Sequence, residues 1–254
     1  MSERPRVFLL PGIFGDEPPL AELRAALGTR IDFELLDYPD VDQPSGKIRD
    51  FAGILDGVIE RICSLQPSGD VHIAGYSFGG QVAFAAACRL QEKRRRVGLL
   101  ALLDSRALSL KVPGSGRLIR NQDAAPGILG MGADIASRLL IAAGLSGIVR
   151  RAIGPTREIF GAGAANGLRR LLLQNLRGRS LRDLSLGRFD GPLVLFRAQE
   201  QPFPKLPLDL GWSAHCALVH NVPLEGDHNS MIRAGHLAPN AELIWSAIEE
   251  RVGS

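Results

Sequence analysis

The sequence predicts an α/β fold, a mostly parallel sheet with helices on both faces and a mostly helical insertion. Three observations predict it. Almost continuously apolar runs recur at residues 6–10, 71–75 and 97–103, as expected of strands in a sheet covered on both sides. Helix-like runs separate them, as connections between parallel strands require. Between residues 105 and 190 the alternation lapses into a stretch rich in Gly, Ala, Leu and Arg with no clear strand. The expected organisation is a single domain over residues 1–254 with an insertion at about 105–190.

Taken in order, the apolar burst 6–10 stops at Pro11-Gly12. Residues 18–27 read as a helix, with proline near the start and Gly28 just past the end. Residues 31–38 are strand-like and end before Pro39. Ile48, Phe51, Leu55, Val58 and Ile62 then recur at helical spacing, one apolar face. Strand 71–75 leads into an Ala-rich helix at 78–92, and strand 97–103 follows. Within the insertion, 135–143 and 168–176 are helix-like; strands return at 193–196 and 217–222, and a last helix covers 239–252.

At 254 residues, 45% hydrophobic and 22% charged, the chain can build a substantial core and is too apolar for disorder. Cys63, Cys88 and Cys216 form no C-x-x-C and cannot all pair, which points to a reducing, cytoplasmic setting and no structural metal. The first apolar run follows Met1 so closely that no signal peptide is expected. The longest weakly polar stretch, 139–149, falls short of the ~20 residues a membrane span needs. Net charge is +3 but unevenly spread. Residues 105–188 hold 14 basic against four acidic residues, leaving a net of −7 on the remainder. The basic residues lack interleaved aromatics, so nucleic acid is not an expected partner.

The chemistry centres on Gly75-Tyr76-Ser77-Phe78-Gly79-Gly80, between an apolar strand and an Ala-rich helix. A G-x-S-x-G in that setting is a nucleophile elbow. Its turn is so sharp that Ser77 takes a strained backbone, its flanks must be small, and Gly80 lets the helix pack closely on the sheet. A serine hydroxyl needs a base, and the base needs an orienting carboxylate. Of five histidines, His72 lies inside a strand, His215 and His220 flank or lie in one, and His236 falls too late. His228, in Gly226-Asp227-His228-Asn229, follows a strand and precedes a helix as required. For the carboxylate three residues compete. Asp104 ends strand 97–103, Glu200 follows strand 193–196, and Asp209 lies farther on. Oxyanion donors are expected from the N–H of Phe78 and from Ile13 in the loop Pro11-Gly12-Ile13-Phe14-Gly15.

These residues resemble the type I thioesterase domains of nonribosomal peptide and polyketide synthases, members of the α/β-hydrolase superfamily. The resemblance rests on residues 10–15, on the run Gly75-Tyr76-Ser77-Phe78-Gly79-Gly80-Gln81-Val82-Ala83-Phe84 and on Leu102-Leu103-Asp104-Ser105. It continues at residues 195–198, 210–212 and 226–228. It covers residues 6–110 and 190–250 well and the insertion hardly at all. It implies Ser77 as nucleophile, His228 as base, and Asp104 rather than Glu200 or Asp209 as its partner, with Ile13 and Phe78 donating to the oxyanion. It also implies that the insertion is a lid. The substrate would be a chain on the phosphopantetheine of an acyl or peptidyl carrier protein, acting in trans or on the same parent chain, with no cofactor of the domain's own. Two other readings stand beside it: a serine esterase or amidase for free small molecules, and a silent hydrolase fold used as a binding module.

Overall fold

The computed structural model describes residues 4–38, 50–110, 146–181, 184–201 and 206–252. Six strands, β1 (Arg6–Leu10), β2 (Asp32–Leu35), β3 (Val71–Tyr76), β4 (Val97–Leu103), β5 (Phe189–Glu200) and β6 (Cys216–Asp227), form one sheet in the order β2-β1-β3-β4-β5-β6. Every pairing is parallel. Among the described residues the α-helices are α1 (Pro18–Leu27), α2 (Phe51–Leu65), α3 (Phe78–Glu92), α4 (Ser146–Ser180) and α5 (Leu237–Val252).

Alternation along the strands explains how the core is built. Val7, Leu9, Ala101, Leu103, Val194 and Phe196 cluster with Leu20, Leu23 and Leu27 of α1 and Ile244 and Ile248 of α5. The intervening Phe8, Leu10, Leu100, Leu102, Leu193 and Leu195 are equally buried, so both faces of the sheet are apolar. Helix α3 packs on strands β1, β3, β4 and β5, and 12 of its 15 residues are buried. This accounts for its alanine content, because small side chains let a helix lie close to a sheet.

The chain divides into two compact units, one of residues 1–38, 52–110 and 185–254, the other of residues 39–51 and 111–184. Within the second unit, α4 runs unbroken for 35 residues through Pro155. The helix expected at 168–176 is one stretch of it, whereas 135–143 and Ile48 lie outside the described residues. The strands expected at 193–196 and 217–222 extend to Phe189–Glu200 and Cys216–Asp227, while that expected at 31–38 shortens to Asp32–Leu35.

Register aligns the strand ends that matter. Tyr76 pairs with Leu103, and Leu103 with Phe196; farther along, Ala198 pairs with Leu224 and Glu200 with Asp227. The residues following β3, β4 and β6 therefore emerge at one edge, the carboxyl ends of the strands, where α/β sheets assemble their sites.

Candidate active site

Strand β3 ends by presenting Ser77, whose φ of 54° and ψ of −115° lie outside the regions a side chain prefers. Such a backbone costs roughly 1–3 kcal/mol and persists only where its surroundings hold it. A Cβ at Gly75 would sit 2.3 Å from the Gly79 carbonyl oxygen, and one at Gly79 only 2.2 Å from that of Leu10. Hydrogen alone fits at either position. The Ser77 N–H donates to the Leu103 carbonyl at 3.0 Å, and the Ser77 carbonyl accepts from the Gly80 N–H at 3.1 Å.

Strand β4 ends by presenting Asp104, also at positive φ (44°) and 9% exposed. Its N–H donates to the Phe196 carbonyl at 2.7 Å. Its Oδ1 accepts from the Ala198 N–H at 3.0 Å and from the Gln201 amide at 2.9 Å, and Gln201 also donates to the Ala198 carbonyl at 2.8 Å. With Oδ1 so engaged, Oδ2 is turned toward His228 Nδ1 at 2.8 Å.

Strand β6 runs to Asp227, so His228 stands at the first position beyond it. Gly226 takes φ 88°, and a Cβ there would lie 2.6 Å from Ser230 Oγ. The Asp227 carboxylate accepts the N–H groups of Asn229 and Ser230, each at 2.8 Å, and Ser230 Oγ accepts the Asp227 N–H at 2.9 Å. Burial works to raise the Asp227 carboxyl, but these donors outweigh it and hold it below the ordinary carboxylate range. The turn is thereby tied shut around His228, whose Nε2 lies 3.0 Å from Ser77 Oγ. With Nδ1–H donating to Asp104, Nε2 carries the lone pair that can take the serine proton.

The other candidates have different engagements. Glu200 is exposed near the end of β5. Asp209 is engaged beside the 3₁₀ turn Trp212–Ala214, accepting the N–H groups of Gly211 at 3.1 Å and Ser213 at 2.9 Å. His72 lies in β3, and burial pushes its imidazole below its ordinary value. His215 meets Ser109 Oγ at 2.7 Å, His220 is exposed on β6, and His236 stands 3.6 Å from Glu225.

The loop after β1 folds back on itself, with the Gly15 N–H donating to the Gly12 carbonyl at 3.1 Å. A Cβ at Gly12 would fall 4.0 Å from that of Ser77. This sets the loop containing Ile13 beside the serine, and Phe78 follows the serine in the chain as the first residue of α3. Tyr38 touches both segments: its hydroxyl donates to the Pro11 carbonyl at 3.0 Å and its ring meets Phe78 edge-on at 5.4 Å. Sequence reasoning passed over Tyr38, Tyr76 and Gln201. Tyr76 fills the unspecified position of G-x-S-x-G, and the other two lie in stretches without a residue-type signal. Among the described residues no group of three or more His, Cys, Asp or Glu can hold a metal, and no helix is long and apolar enough to cross a membrane.

Comparison with known proteins identifies the family and the fold. The thioesterase domain model matches residues 5–244. The chondramide synthase cmdD of Chondromyces crocatus is 38% identical over 98 residues, 39% of this chain and 2% of that protein. The dimodular nonribosomal peptide synthase of Bacillus subtilis (strain 168) is 33% identical over 104 residues, 36% of this chain and 4% of that protein. The chain thus spans a few per cent of the length of these curated relatives. The NocB thioesterase domain, solved in covalent complex with a fluorophosphonate nocardicin G analogue, superposes with a TM-score of 0.67 at 19% identity, covering 100% of this chain and 96% of that one. The SrfTE thioesterase domain, described as cyclising the lipopeptide antibiotic surfactin, gives 0.61 at 16% identity, covering 97% and 92%. With the fold shared and the family model spanning nearly its whole length, the chain belongs to the thioesterase domain family, alongside the thioesterase domains of nonribosomal peptide synthetases.

Proposed function

We propose that this domain takes an acyl, peptidyl or polyketide chain from the phosphopantetheine thioester of a carrier protein, holds it as an ester on Ser77, and releases it. The acceptor is water or a nucleophile within the chain itself. The observation that carries this reading is the unbroken hydrogen-bonded series from Asp104 through His228 to Ser77, at 2.8 and 3.0 Å.

In this mechanism Ser77 Oγ attacks the thioester carbonyl carbon while its proton passes to His228 Nε2. The N–H groups of Ile13 and Phe78 stabilise the oxyanion, and loss of one such donor typically costs ~10²–10³ in rate. Asp104 keeps Nδ1 protonated and stabilises the imidazolium. As the tetrahedral intermediate collapses, the C–S bond breaks and His228 gives its proton to the departing thiolate. A water, or an amine or hydroxyl of the chain, then attacks the ester. His228 accepts its proton and returns it to Ser77 as the C–O bond breaks. The insertion that includes α4 is assigned the part of the lid.

A fluorophosphonate probe tests the nucleophile. One phosphonyl adduct, mapped by mass spectrometry to Ser77, is expected in the wild type and none in Ser77→Ala. A carrier-bound thioester is expected to turn over faster than a p-nitrophenyl ester. Rapid ester turnover with an inert carrier-bound substrate rejects the carrier reading.

A further inference from the structure

Tyr76 makes two contacts with the same distant residue, 152 positions away in sequence. Its hydroxyl donates to the His228 carbonyl at 2.7 Å. Its ring also lies nearly parallel to the imidazole, 17° between planes and 5.1 Å between centroids. The two contacts act on different parts of His228, one on the backbone and one on the ring face.

The surroundings keep this tyrosine neutral and therefore a donor. Burial pushes its hydroxyl well above the ordinary value, and the negative charges of Asp104, Glu17 and Asp227 add to that against the opposing effect of Arg233. The backbone holds the residue in register as well, because Tyr76 is the last residue of β3 and pairs with Leu103, the residue before Asp104. One rigid strand end thus fixes Ser77 through the chain and His228 through the tyrosine side chain.

We propose that Tyr76 is a positioning residue for His228, its hydroxyl fixing the backbone of the histidine turn and its ring face stabilising the imidazolium formed when Ser77 gives up its proton. The inference rests on the serine–histidine reading above. The electrostatic part follows from the ring quadrupole, whose negative face attracts a cation lying over it. A neutral imidazole gains little from that face, whereas the imidazolium of the acylation transition state gains more. The contact therefore acts on the chemical step and not on substrate affinity.

The experiment compares three rings at position 76 with a p-nitrophenyl ester, following kcat and KM separately and checking the fold by thermal melting. Tyr76→Phe keeps the stack and loses the tether to the His228 carbonyl; its kcat is expected to fall about three- to tenfold with KM unchanged. Pentafluorophenylalanine at the same position keeps the shape but reverses the polarity of the ring face. It is expected to lower kcat a further ~3- to 10-fold. A residue that only filled space would not distinguish the two phenylalanine rings. Wild-type kcat in Tyr76→Phe, or equal kcat for the two rings, overturns the proposal. Ser77→Ala runs in parallel: its inactivity with unaffected ring variants defeats the role of Tyr76 alone, whereas retained activity in Ser77→Ala defeats the serine–histidine reading itself.

Discussion

Asp104 is held as firmly as Ser77, and the way it is held predicts its mutant. Two donors, the Ala198 N–H and the Gln201 amide, converge on Oδ1. In Asp104→Asn the amide oxygen is drawn to those donors, which turns the new NH₂ toward His228 Nδ1. Two donors would then face each other, and the imidazole must adopt the tautomer that cannot accept the Ser77 proton. Turnover of an ester substrate is expected to fall on the order of 10⁴-fold with the fold intact. Glu200→Gln is expected to remain near wild type, since Glu200 is exposed. Collapse of activity in Glu200→Gln with Asp104→Asn active would reverse the assignment. Much of this site was readable in the residues themselves. Ser77 and His228 announce themselves by type, spacing and flanking glycines. Asp104 was one of three candidates, because an acid after an apolar strand does not reveal which neighbouring strand end it faces. Gln201 and Tyr76 reach Asp104 and His228 only through the fold and carry no signature.

At the scale of elements, the segment after β4 is fastened from two sides. The Trp212 indole N–H donates to the Ser105 carbonyl at 2.7 Å, and Gln81 of α3 donates to the Arg106 carbonyl. Trp212 is wholly buried and its ring lies 4.6 Å from that of Phe84. Trp212→Phe keeps an aromatic ring but leaves the Ser105 carbonyl without this donor in a dry setting. A loss of about 1–3 kcal/mol is expected in urea denaturation, with ester turnover reduced because Asp104 immediately precedes the freed segment. Unchanged stability would mean that another group takes over the carbonyl. The helices whose ends the sequence marks are the ones whose bounds it predicted well: 18–27, between proline and Gly28, and 78–92, opening at the serine turn, match α1 and α3. The strands β5 and β6 read short because Gly191, Pro192, Pro223 and Gly226 lie within them, residues that normally end strands. Their extra length matters, since it carries β6 to the residue before His228. Of helix α4 only the stretch 168–176 was expected, because Pro155 and repeated glycines normally interrupt a helix, yet α4 continues through them.

For the molecule as a whole, net charge conceals a division along the chain. The segment 105–188 carries a net of +10 and the rest −7, and Arg151 and Arg157 on α4 are exposed. Pairwise surface contacts contribute little, but the summed field of such a block can raise association rates with an oppositely charged partner by ~10–10³. The family resemblance implies a carrier protein as that partner, and carriers are typically acidic. Screening provides the test, because the Debye length shrinks from about 30 Å at 0.01 M to about 8 Å at 0.15 M salt. Over that range kcat/KM for a carrier-bound thioester is expected to drop severalfold, while a neutral p-nitrophenyl ester shows no change. Arg151→Glu with Arg157→Glu should lower the carrier-bound rate at low salt and flatten its salt dependence, leaving ester turnover unaffected. A carrier-bound rate indifferent to salt would show that the arginines do not steer, and that the positive block serves the fold or solubility of the insertion instead.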